Sequence, residues 1–176
     1  MKKRFEKIRK LYDDFHKEML SKGRLMLKDT GIGYWGISST TELFELFQRT
    51  NLDKHKRFVD LGSGDGRAVL VADLFTNAVG VEYDKELHNF ALNLAKKASA
   101  NVKLVNENYL NHSLESYDYI FIHPDSHIAN KLEQKLQSEM NPKAKLVVLG
   151  PHYHPRDLKR INTLDIQGTL VSVFKK

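Results

Sequence analysis

Apolar and polar positions change rhythm several times along the chain, and each change marks an element. Phe5, Ile8, Leu11, Tyr12, Phe15, Met19 and Leu20 recur every three or four residues, so residues 2–21 read as an amphipathic helix. The rhythm stops over residues 28–40, where three glycines and a hydroxyl cluster predict a loop. Ser39 or Thr40 can cap the helix that follows, with Leu43, Phe44, Leu46 and Phe47 as its apolar residues. From Phe58 onward short apolar runs take over. They end at Asp60, Glu82, Val105, Ile122 and Leu149, and helical stretches lie between them, beginning at Ala68, after Asp84 and near Ser126. Two further runs, near 161–166 and 169–174, close the chain. Strands alternating with helices predict an α/β domain with a parallel sheet and right-handed crossovers, ligands collecting at the carboxyl ends of its strands. Pro151 and Pro155 break the stretch after the fifth run, so any helix there is short.

At 176 residues the chain fits one domain, with a helical extension over 1–30 and a catalytic core over 31–176. No stretch reaches the ~20 apolar residues of a membrane span. Cysteine is absent, which removes disulfides, thiolate nucleophiles and cysteine-bound zinc, and a reducing, cytoplasmic setting is the expectation. The net charge of +6 is concentrated in residues 1–28, where ten lysines and arginines face four acids. Such an arm favours a polyanion or an acidic protein surface.

The chemistry gathers around Phe58-Val59-Asp60-Leu61-Gly62-Ser63-Gly64-Asp65-Gly66-Arg67. An apolar strand ends in three glycines at alternate positions, and a helix begins behind them. Glycine serves where the backbone takes positive φ or a ligand approaches the main chain closely. Helix starts offer N–H groups to a ligand's polar end. The spacing is not the dinucleotide fingerprint, but Glu82 ends the next strand about 20 residues on, where a ribose-binding carboxylate belongs.

VDLGSGDGR followed by VGVEYD resembles the class I S-adenosylmethionine-dependent methyltransferases. The resemblance implies a Rossmann-like, seven-stranded, mostly parallel doubly wound sheet that ends in a hairpin, with S-adenosylmethionine as cofactor. It also implies roles. Gly62, Ser63, Gly64 and Gly66 form the turn under the methionine part and ribose. Asp60 binds the amino group, and Glu82 the ribose hydroxyls. Tyr83 lies against the adenine, and Asn108 and Tyr109 sit at its edge. DLGSGDGR, Tyr34 with the hydroxyls Ser38, Ser39 and Thr40 ahead of a helix, and a short C-terminal half are similar to the small archaeal and mitochondrial protein-lysine methyltransferases. In that group the tyrosine and hydroxyl segment closes over the cofactor, so Tyr34 and Ser39 are the matching site residues.

Methyl transfer to a lysine amine requires that the amine lose its proton first, and His123 at the end of the fourth strand is the candidate base. The reaction needs no metal, and none is expected despite His123, Asp125, His127, His152 and His154. Two departures from the group stand on the substrate side: Trp35-Gly36-Ile37 replaces a proline-bearing segment, and His123-Pro124-Asp125 replaces an apolar one. His-Pro-Asp-Ser is also not the Asn-Pro-Pro-Tyr motif of many base and glutamine N-methyltransferases. Protein lysine is the expected acceptor. RNA, held by the basic helix, is the alternative, and a non-catalytic cofactor-binding protein is a further one.

Overall fold

The computed structural model describes residues 1–31, 33–124 and 130–176. Helix α1 (Lys2–Ser21) buries Phe5, Ile8, Tyr12 and Met19 along one stripe and turns its charged side to solvent. The segment read from sequence as a loop contains two three-residue strands, β1 (Leu27–Asp29) and β2 (Tyr34–Gly36), paired antiparallel as a hairpin. Its connection is glycine-rich as expected. The pairing escapes sequence patterning because strands of three residues are too short to show a period of two. Lys28 ties the hairpin down, its Nζ lying 2.8 Å from carboxylate oxygens of both Asp84 and Glu86.

Helix α2 (Thr40–Arg49) begins at Ser39, whose hydroxyl accepts from the Glu42 N–H. The core then alternates β3 (Arg57–Leu61), α3 (Arg67–Ala72), β4 (Asn77–Glu82), α4 (Lys85–Ala98), β5 (Lys103–Asn106), β6 (Tyr119–Ile122), α5 (Asn130–Glu139) and β7 (Lys145–Leu149). The antiparallel pair β8 (Lys159–Ile166) and β9 (Thr169–Lys175) follows. The seven strands take the order β5-β4-β3-β6-β7-β9-β8, and β9 alone runs against its neighbours. This is the mostly parallel, doubly wound sheet ending in a hairpin that the resemblance implies. Its order reverses between β3 and β6, so the crevice at their carboxyl ends is where a ligand belongs.

Alternation along the strands divides the core. Phe58, Tyr119, Phe121, Val147 and Leu149 face a layer that includes α1, α2 and α3. Val59, Leu61, Ile120, Ile122, Leu146 and Val148 face α5 and the chain around Leu114 and Tyr153. Phe47 stands edge-on to Phe58 and Phe121, and its truncation to alanine would cost about 3–5 kcal/mol. No helix forms between β7 and β8. Tyr153 and Leu158 bury their side chains there instead, as the two prolines foretell. The first part of the helix expected near Ser126 falls outside the described residues, as do Asp125 and His127.

Candidate active site

The turn after β3 is fastened from below and open from above. Gly62 and Ser63 both donate to the carbonyl of Val81, at 2.9 and 3.0 Å. Glu82 accepts from the Gly64 N–H through one carboxylate oxygen and from the Asp84 N–H through the other, each at 2.7 Å. This acid therefore staples the glycine turn to the end of β4. Each of its oxygens keeps a second lone pair for a ligand hydroxyl. Gly62 and Gly64 both have positive φ, +84° and +53°. A Cβ on Gly62 would meet nothing within 4 Å, leaving room beside the main chain. A Cβ on Gly64 would fall 2.5 Å from Nε1 of Trp35, because the hairpin lays its indole on the turn. Gly66 serves packing: a Cβ there would stand 2.9 Å from that of Ala91 on α4.

Three carboxyl groups are buried here. Burial, and then the nearness of Glu82 and Asp65, raises the pKa of Asp60 well above the ordinary carboxylate range. Burial raises Glu82 too, against the backbone N–H groups of Asp84, Gly64 and Tyr83, which favour its charged form. Asp65 is raised by burial, with the Arg67 guanidinium pulling the other way at 3.0 Å. A cation entering this crevice would relieve all three.

The crevice is a cavity of about 360 Å³. Of the residues expected from sequence, Asp60, Gly62, Ser63, Gly64, Glu82 and Tyr83 line it from the β3 and β4 side. Asn108 and Tyr109 line it beyond β5, and Tyr34 and His123 close it from the hairpin and from β6. Ser63 contributes main chain, since its buried hydroxyl is turned toward Gly80. Asn108 accepts from the Leu110 N–H, so its amide offers a donor to the cavity. Two expected residues are not on the wall: Gly66 packs on α4, and Ser39 caps α2 with its hydroxyl 2.7 Å from that of Thr41. Sequence reasoning passed over Asp65 and Arg67. The available signal was an arginine opening an otherwise apolar helix. Among the described residues, no three His, Asp or Glu side chains are arranged to hold a metal ion.

A family model described as the ANTKMT methyltransferase domain matches residues 60–150, from the buried Asp60 through β7. The chain belongs to that family. Solved structures similar to this ANTKMT-family chain carry the same fold. An RNA methyltransferase from Salinibacter ruber, crystallised with S-adenosyl-L-homocysteine, shares 20% identity and a TM-score of 0.66, over 79% of this chain and 92% of its own. A methyltransferase from Geobacter sulfurreducens has 11% identity and a TM-score of 0.67, over 94% and 90%. Mitomycin 7-O-methyltransferase MmcR has 14% identity and a TM-score of 0.63, over 78% and 53%. No curated protein matches significantly.

The ANTKMT-family chain is thus an S-adenosylmethionine-dependent methyltransferase. The residues present fit that cofactor: an open cradle at Gly62, a cluster of buried acids suited to a cation, and aromatic walls. No helix among the described residues is long and apolar enough to cross a membrane.

Proposed function

We propose that this enzyme methylates lysine side chains of proteins. The observation that carries the reading is the charge of the cavity wall. Its charged residues are Asp60, Asp65, Glu82 and Arg67, and Arg67 is spent on Asp65. Among the described residues no lysine lines the cavity. With no lysine and its one arginine paired, the wall offers little to a nucleic acid, which needs cations where its phosphates pass, whereas the aromatic Tyr34 and Trp35 suit an amine.

S-adenosylmethionine supplies a methyl group on a positively charged sulfur. Asp60 would accept from its amino group by a charge-assisted hydrogen bond. Glu82 would accept from the ribose hydroxyls, and Tyr83 and Asn108 would hold the adenine. Gly62, Gly64 and the main chain of Ser63 would let the methionine end approach, with Tyr109 closing the wall. Tyr34 and Trp35 would cover the reacting centre and exclude water, which with positioning supplies most of the rate. His123 would take the proton of the acceptor ammonium.

The basic amino-terminal segment favours RNA less than its charge suggests. Arg4, Arg9, Lys22, Arg24 and Lys28 all sit in ion pairs, with Asp73, Glu6, Glu18, Glu86 and Asp84 among their partners. The deciding experiment incubates the enzyme and tritiated S-adenosylmethionine with a cell lysate pretreated with nuclease or with protease. Label that survives nuclease, disappears with protease and returns as methyl-lysine after acid hydrolysis is the expected result. Label lost to nuclease alone would overturn the lysine reading in favour of RNA.

A further inference from the structure

Ser38 Oγ lies 2.8 Å from Nδ1 of His123. The loop does not hold Ser38 unaided, because Arg67 Nη1 donates to its carbonyl at 2.8 Å. Arg67 is fixed in turn. Its Nη2 pairs with Asp65 at 3.0 Å, and its guanidinium lies 4.5 Å over the ring of Tyr12. Tyr12 is 1% exposed and donates its hydroxyl to the Asp65 carbonyl at 3.0 Å. A continuous path thus runs from α1 through Tyr12, Arg67 and Ser38 to His123 at the end of β6.

We propose that Ser38 is a positioning residue for methyl transfer, accepting a hydrogen bond from Nδ1–H of His123 and so keeping the base lone pair of the ring on Nε2. The inference rests on the reading that the acceptor is a lysine amine. Which nitrogen of a histidine is protonated is set by the bond the other makes. If Ser38 donated to Nδ1, its hydroxyl would have to turn once the ring became an imidazolium, which donates at both nitrogens. With Nδ1 donating, one bond serves the ring before and after proton capture, and Ser38 stabilises the charge the ring acquires. In that step an N–H bond of the acceptor ammonium breaks and the proton goes to Nε2. The electron pair left on nitrogen forms the new bond to the methyl carbon as the S–C pair departs on sulfur, and the imidazolium then releases its proton to water. Arg67 and Tyr12 hold the carbonyl of Ser38 in place, giving α1 a part in the site that does not depend on its charge.

The test uses the full chain labelled with ¹⁵N, whose imidazole proton–nitrogen spectra distinguish the two tautomers, with H123Q assigning the signal. His123 should be protonated at Nδ1 in the wild type and lose that preference in S38A. Methyl transfer to lysate protein at saturating cofactor should fall about tenfold in S38A, part of the ~10²-fold loss expected for H123Q. The KM for S-adenosylmethionine should stay unchanged, and S38T, which keeps the hydroxyl, should restore both rate and tautomer. A tautomer indifferent to S38A, or an S38T variant as slow as S38A, would overturn the inference while leaving the lysine reading intact. Label found in RNA would remove the lysine reading, and the spectra would still decide the Ser38 bond.

Discussion

Adding one methyl group at Gly64 separates the two demands placed on the turn. Gly64 has φ +53°, and an L-residue in the left-handed region costs about 1–2 kcal/mol. The new Cβ would also press on the Trp35 indole, 2.5 Å from its Nε1, and overpacking of this kind costs about 1–3 kcal/mol more. Gly62 is the internal control: its φ is +84°, yet a Cβ there meets nothing within 4 Å. G62A should therefore lose only about 1–2 kcal/mol, and G64A about 2–5 kcal/mol. In a W35A background the excess should vanish, which a double-mutant cycle by urea unfolding and far-UV circular dichroism measures directly. Equal losses at the two glycines, or an excess that persists without the indole, would refute the packing of Trp35 on the turn. Calorimetry should show the complementary effect, G62A weakening S-adenosylmethionine binding because its methyl fills the open cradle.

Three further outcomes follow from groups in and below the site. Asp60 holds a proton in the cofactor-free fold at pH values where the unfolded chain, with its ordinary pKa of 3.8, has released it. Stability should then fall as pH rises through the raised value. D60N should flatten that slope and raise the urea midpoint at neutral pH, while weakening cofactor binding about 10–100-fold by calorimetry; an unchanged slope would contradict the assignment. Lys145, buried at the opposite end of the sheet, donates to the Thr50 carbonyl and lies 4.9 Å over the ring of Tyr119. Burial, then Lys175, lowers its pKa from 10.5 to about 8. The cost of its charge is therefore present in full below about pH 8 and released toward pH 10.5. Over that interval the wild type should gain up to about 3 kcal/mol relative to K145M in paired unfolding curves. Trp35 is the chain's single tryptophan, so S-adenosylhomocysteine should change emission excited in the indole band; a silent titration alongside calorimetric binding would remove Trp35 from the site.

What could be read in sequence was whatever is written locally. The strand, glycine turn and helix, and Glu82 at its distance, follow from neighbouring residues, and so do the caps at Ser39 and Asp84. Pro151 and Pro155 forbade a helix in terms any reader of sequence can use. The hairpin was illegible because its hold on the fold is an ion pair from Lys28 to residues 56 and 58 positions away. Arg67 was passed over for the same reason, since its meaning lies in Tyr12 and Ser38, both far upstream in the chain. Gly66 takes the positive φ, +77°, that the glycine spacing foretold, but the closeness of Ala91 behind it shows only in the packing.

The sheet's order also bears on how the chain reaches its fold. β8 is made before β9 but touches the sheet only through it. A nascent chain that has emerged as far as Ile166 thus presents two unsatisfied edges, that of β7 and that of β8. Fully buried in the finished fold, the β7 edge is for that interval a template for any passing strand. Seven residues, Thr169–Lys175, seal both at once. Lesions within β9 should therefore show first as aggregation during synthesis, before any defect in methyl transfer can be measured.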